Sequence, residues 1–93
     1  MIPSNRPPTS PGEMLQEEFM IPMGLSQTEL ARRIGDSTPK RINEIINGRR
    51  SISADMAVRL SRVFDNSAEF WMNLQNAVDL YKAREDIAAA AAR

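Results

Sequence analysis

The sequence predicts an all-α domain of five helices, with a helix–turn–helix formed by the second and third. Three observations predict it. Met, Leu, Ile and Ala carry most of the apolar content and aromatics are few, a mix that favours helices over sheets. Ser10, Ser26, Thr38, Ser53 and Ser67 each stand as a helix cap ahead of apolar residues at helical spacing. The stretches between are short and hold Gly or Pro.

In chain order, Pro3, Pro7 and Pro8 lie among Ser, Asn, Thr and Arg, so residues 1–10 read as a flexible N-terminal segment. Ser10 caps the first helix and Pro11 takes its first position. Met14, Leu15, Phe19 and Met20 form its apolar stripe, and Pro22 and Gly24 are expected to end it. Ser26-Gln27-Thr28-Glu29 is a capping box opening the second helix, which runs to about Ile34 and buries Leu30, Ala31 and Ile34. Gly35 is a left-handed stop. Thr38 is expected to cap the third helix, with Pro39 at its first position, Ile42, Ile45 and Ile46 on its buried face and Gly48 at its end. Ser53 caps the fourth helix and Asp55 sits in its first turn; Met56, Leu60 and Val63 share one face, and Ala57, Leu60 and Phe64 another nearby. Ser67 caps the fifth, where Phe70, Trp71, Leu74, Ala77, Val78 and Tyr81 recur at helical spacing. The helix–turn–helix domain thus spans residues 11–84, with 85–93 an Ala-rich tail and no internal repeat.

The formal net charge of zero conceals a pattern. Residues 26–62 hold eight cations against four acids, a balance of +4, while the segments on either side each carry −2. A basic middle between acidic ends fits a localised polyanion footprint, and on charge alone it fits a solvated helical surface with scattered charge equally well. The absence of Cys excludes disulfides and thiolate metal sites. With no His either, no phosphate-cradling Gly-rich loop and no acidic pair at a recognisable spacing, the residues argue against an enzyme, a cofactor or a metal. No apolar run approaches the roughly 20 residues of a membrane span, and the N-terminus lacks the apolar core of a signal peptide, so the expected location is the cytoplasm.

The outward positions of the third helix are left to Lys40, Arg41, Asn43, Glu44 and Asn47. An α-helix fits the major groove of DNA, and the side chains near its N-terminus reach base edges. Arg or Lys donates to guanine O6 and N7, Asn pairs with adenine, and Thr meets a thymine methyl. Thr38, Lys40, Arg41, Asn43 and Asn47 are therefore the candidate base readers. Ser26 and Gln27 at the start of the second helix, with Arg49 and Arg50 after the third, are the candidate phosphate contacts. Read one at a time, Lys40 and Arg41 could equally be ordinary solvated helix residues; the reading rests on the set.

The stretches GLSQTELARRIG, RINEIINGRRSISADMAVRLSRVF and AEFWMNLQ resemble the Xre-type, Cro-repressor-like helix–turn–helix proteins, most closely their HigA antitoxin branch. The resemblance covers about residues 11–82. It implies a lambda-repressor-like fold and a homodimer that represses its own operon. It also implies an antitoxin that binds and neutralises a toxin cleaving mRNA on the ribosome, with the third helix in the major groove and Gln27 at the backbone. Two departures stand out. Seven positions separate Gly35 from Ile42 where the usual pattern has six, one residue having been added near Asp36–Pro39. Ser10 also replaces a frequent His before Pro-Gly-Glu.

Phe70, Leu74, Ala77 and Tyr81 are expected to close the core, leaving Trp71 and Val78 on an adjacent stripe. An apolar patch of this kind usually marks an interface, so Trp71, Leu74, Val78 and Tyr81 are the candidate dimer contacts, and a two-fold dimer suits a palindromic operator; the other reading is that Trp71 caps the core of a monomer. Glu13, Glu17 and Glu18 offer a basic toxin an acidic surface, although acids in the first turns of a helix also serve its dipole. Three functions fit: a DNA-binding repressor that is also an antitoxin, a free-standing repressor without a toxin, and a protein-binding module that does not read DNA.

Overall fold

The computed structural model describes residues 7–92, and among them are five helices and no strand. The first, α1, opens behind Ser10, whose hydroxyl accepts from the Glu13 N–H at 3.1 Å while the Glu13 carboxylate accepts from the Ser10 N–H at 3.3 Å. It is α-helical over Pro11–Met14, π-helical over Leu15–Met20 and α-helical again over Ile21–Met23. Pro22 does not end it, contrary to expectation. In a regular helix the Pro22 ring would collide with the carbonyl of Glu18 four residues back. The wider π turn ahead of it, in which the Ile21 N–H donates to the Gln16 carbonyl, shifts the register by one residue and carries the proline inside the last turn. Gly24, left-handed at φ 61°, ends the helix.

Helix α2 (Gln27–Arg33) starts with the expected capping box, Ser26 and Glu29 bonding reciprocally at 3.1 and 3.2 Å. It ends where Gly35 (φ 81°) lets the Asp36 N–H fold back on the Ala31 carbonyl at 2.8 Å. Helix α3 (Lys40–Ile46) begins one residue later than expected. Pro39, not Thr38, is its flanking residue, and Thr38 lies in the turn, its hydroxyl accepting from the Lys40 N–H at 3.4 Å. The Asp36 side chain takes the Thr38 N–H at 3.4 Å, a local bond that competes with an earlier helical start. Helices α4 (Ala54–Phe64) and α5 (Ala68–Ala91) are capped by Ser53 and Ser67 as expected, and α5 takes in most of the Ala-rich tail. Of the N-terminal segment, residues 7–10 are non-helical and residues 1–6 lie outside the described part.

The core is formed by Leu15, Leu30, Ile42, Leu60 and Trp71, all without solvent exposure, with Met20, Leu25, Ala31, Ile34, Ile45, Ile52, Met56 and Ala57 around them. The expectation for α5 is corrected here. Trp71 is the anchor of the protomer's own core and cannot serve as a dimer contact. Its ring lies against Phe19 (5.4 Å between centroids) and edge-on to Phe70 (5.2 Å), and its indole N–H donates to Asn66 Oδ1 at 2.9 Å. Ala77, expected inside, is exposed, and the second inward position is Gln75. Trp71 and Gln75, one helical turn apart, put the inward face of α5 one stripe round from the expected one.

Helix α1 crosses α3 at backbone contact through Gly12, which is buried. A Cβ there would collide with the Ile45 carbonyl and stand 2.9 Å from the Ile46 Cα. The position of α3 is thus set by the absence of a side chain on α1.

Candidate nucleic-acid interface

With Ile42 and Ile45 seated in the core and Ile46 half-buried, the opposite side of α3 faces outward. Lys40, Asn43 and Asn47, at helical spacing, are exposed along it, and the Asn47 amide donates to Asn43 Oδ1 at 3.1 Å. Asn47 lies just past the last helical residue. Lys40 has no ion-pair partner among the described residues, so its ammonium is available to a ligand.

Arg41 differs. It is half-buried, and its Nε donates to Asp36 Oδ2 at 2.8 Å. The Arg41 hydrogen bond holds the Asp36 carboxyl below the usual carboxylate range, and the Thr38 N–H adds to this. The turn therefore carries its own anion, and that anion grips one of the expected base readers. Thr38, in the turn, is exposed.

The candidate phosphate contacts fall into two groups. At the start of α2 Ser26 is exposed, but both its hydroxyl and its N–H are taken up by Glu29, and the bonds from Ser26 keep the Glu29 carboxyl below its ordinary range. Gln27 beside it is half-buried. In the loop after α3, Arg50 is paired through Nε with Glu44 at 3.0 Å, while Arg49 is exposed with no ion pair among the described residues. This loop is pinned from below: the Ile52 N–H donates to Gln75 Oε1 at 2.8 Å, and Gln75 Nε2 donates to Asp79 at 2.9 Å. Gln75 was not singled out in the sequence, because one buried amide leaves no periodic signal. A groove of about 320 Å³ runs between this loop and α5, with Arg49, Arg50, Val78 and Lys82 on its walls.

A second basic groove, of about 400 Å³, lies between the end of α2 and α4, lined by Arg33, Asp55, Val58, Arg59 and Arg62. Arg59 is committed there: it donates to the Ile34 carbonyl at 2.6 Å and to Asp55 at 2.8 Å, tying the end of α2 to α4.

Of the expected dimer contacts, Leu74, Val78 and Tyr81 are half-buried, and burial pushes the Tyr81 hydroxyl up. Past Tyr81 every described residue of α5 is exposed, and Leu80 (51% exposed) and Ile87 (69%) share one stripe of it. No helix of the described residues is long and apolar enough to cross a membrane, and no cluster of His, Cys, Asp or Glu among them could hold a metal ion.

Known proteins share this sequence and fold. Residues 17–71 match the helix–turn–helix family model. The chain is 49% identical over 80 residues to virulence-associated protein I of Dichelobacter nodosus, covering 86% of this chain and 73% of that protein. It is 39% identical over 84 residues to the antitoxin HigA-1 of Vibrio cholerae, covering 90% and 78%. Among solved structures, the Pseudomonas aeruginosa antitoxin HigA with the higBA promoter superposes with a TM-score of 0.83 at 42% identity, covering 89% of each chain. The chain belongs to the helix–turn–helix family, in its Xre-like branch of HigA-type antitoxins.

Proposed function

We propose that this chain is a homodimeric repressor that binds a palindromic operator at its own promoter, and that it is the antitoxin of a toxin–antitoxin operon, neutralising an mRNA-cleaving toxin. The observation that carries the reading is the exposed Lys40–Asn43–Asn47 face of α3, flanked by Gln27 and Arg49, on the same fold as an antitoxin solved with its promoter. Lys40 and Arg41 read guanine, Asn43 and Asn47 read adenine, and Thr38 meets a base at the edge of the site. Gln27, Arg49, Arg50 and the backbone amides in the first turn of α2, next to Ser26, hold the phosphates and set the register of α3. Such a protein works by binding, without catalysis, and in the cytoplasm, where its DNA is.

The second copy packs along α5. Leu80 and Ile87, with the half-exposed Leu74, Val78 and Tyr81, give it an apolar surface that the protomer leaves open. A two-fold dimer places the two α3 helices about one helical turn of DNA, roughly 34 Å, apart. The domain of residues 11–84 then includes most of the dimerising helix, which runs on through Ile87 to Ala91. The acidic exposed residues of α1, Glu13, Glu17 and Glu18, face a basic toxin.

The test is fluorescence anisotropy on DNA from upstream of its own gene and on a scrambled duplex, across a salt series, with the Lys40→Ala/Arg41→Ala variant alongside. Tight, salt-sensitive binding to the native duplex, lost in the variant, is expected. Equal weak binding to both duplexes, unchanged in the variant, sinks the operator reading. Protection of mRNA from the neighbouring gene's product tests the antitoxin reading separately.

A further inference from the structure

The turn between α2 and α3 contains Asp36. That side chain is 16% exposed and does two things at once. Its Oδ1 accepts from the Thr38 N–H at 3.4 Å, and its Oδ2 accepts from Arg41 Nε at 2.8 Å. The backbone of Asp36 is fixed as well, its N–H donating to the Ala31 carbonyl at 2.8 Å. The carboxylate is therefore immobile, and the guanidinium it holds is gripped by Nε alone. Neither Nη group of Arg41 has a partner among the described residues.

A guanidinium is a rigid plane with five donors. Holding it at Nε leaves the Nη1 and Nη2 hydrogens as a fork at its far end. Two donors so placed match the O6 and N7 acceptors of guanine. We propose that Asp36 is a specificity-determining residue of the DNA site, positioning Arg41 so that its Nη fork is presented to a guanine at one position of the operator. The proposal rests on the reading that α3 enters the major groove.

The alternative roles of Asp36 make different predictions. A partly exposed ion pair contributes little to folding. Ordering a long, rotamer-rich side chain before binding has a larger effect on affinity, about 3- to 10-fold for one arginine. If Asp36 only braced the turn, its removal would weaken binding to every sequence alike. If it only masked the charge of Arg41, its removal would strengthen binding to every sequence alike.

The experiment uses the full chain and the duplex from upstream of its own gene, together with that duplex carrying each base pair of one half-site replaced in turn. Wild type, Asp36→Ala, Arg41→Ala and the double variant are titrated by anisotropy, and each is checked for unchanged helicity by circular dichroism. The expected result is that Arg41→Ala abolishes discrimination at one G·C pair. Asp36→Ala reduces discrimination at that same pair by about 3- to 10-fold and leaves the other positions alone. Asp36→Ala has no further effect in the Arg41→Ala background. A uniform change at all positions, or additive effects in the double variant, overturns the proposal and leaves the operator reading standing. Arg41→Ala that alters no position, while Lys40→Ala does, also overturns it alone. A wild type that does not separate the native from a scrambled duplex overturns both.

Discussion

The side-chain carbonyl of Gln75 accepts the backbone N–H of Ile52 at 2.8 Å. One residue lies in the loop that follows α3 and carries Arg49 and Arg50; the other is in the second turn of α5, at the position where Trp71 brings that helix into the core. The bond joins the expected phosphate-contact loop to the helix proposed for dimerisation. Both partners are buried, so the bond has no competition from water.

Replacing Gln75 with Ala leaves the Ile52 N–H buried and unpaired, which costs about 1–3 kcal/mol. Urea unfolding will show the loss as a lower midpoint at constant slope. Operator affinity, measured where the variant is still folded, should fall as well, because Arg49 loses its fixed base. A variant with native stability would show that the amide is satisfied in some other way.

Gly12→Ala places a methyl group against the Ile45 carbonyl. The expected cost is about 1–3 kcal/mol, as for other overpacked sites. The strain falls on the α1–α3 contact, so a crystal structure of the variant should show α3 displaced while the contact of α4 with α5 stays in place. Wild-type stability in Gly12→Ala would mean that the close crossing yields at no cost.

Trp71 and the stripe of Leu80 and Ile87 should behave as opposites. Trp71→Ala removes the centre of the aromatic cluster and should cost about 3–5 kcal/mol of unfolding free energy. Leu80→Glu with Ile87→Glu touches only exposed positions and should leave the fold intact. Sedimentation equilibrium should then find the Leu80/Ile87 variant monomeric where the wild type is dimeric. A dimer that survives both charges would place the two-fold interface elsewhere.

Asp36 adds an acid-side stability term. Its carboxyl titrates lower in the folded protein than in the unfolded chain, chiefly because of the hydrogen bond from Arg41. The unfolded chain therefore takes up the proton first. The stabilisation is complete above the ordinary carboxylate range and is lost as pH falls through the folded value. Thermal midpoints of wild type and Asp36→Asn, compared from pH 7 down to about 3, should differ at neutral pH and converge on the acid side. A constant difference across the range would show that the pair contributes no charge-dependent stability.

Much of the interface was legible before the structure because helix caps and left-handed stops are local devices. Ser10, Ser26, Ser53 and Ser67 cap because a hydroxyl three residues ahead of a free N–H is sufficient. Gly24, Gly35 and Gly48 all take positive φ, Gly24 and Gly35 ending their helices where the sequence places stops. The polar face of α3 followed from the spacing of Ile42 and Ile45 alone. Less legible were backbone features that residue type does not announce. Pro22 stays inside α1 because a π turn precedes it, and Asp65 at the end of α4 adopts φ 53° without being a glycine.

The five helices, the four serine caps, and the polar residues between Lys40 and Asn47 are properties of short windows, and the sequence by itself determined them. Which side of α5 turns inward is not such a property, since Trp71, Leu74, Val78 and Tyr81 offer several apolar stripes of similar strength. Tertiary packing chose Trp71, because Phe19 from α1 and Phe64 from α4 meet it there and Asn66 accepts its indole N–H. The same packing buried Gln75 and left Leu80 and Ile87 in solvent. It also joined Asp36 to Arg41, which no helical period relates, because the turn between them doubles back. The physical reason is one of range: capping and propensity act within a turn or two of the chain, whereas shape matching, buried amides and ion pairs form only once the helices are in place.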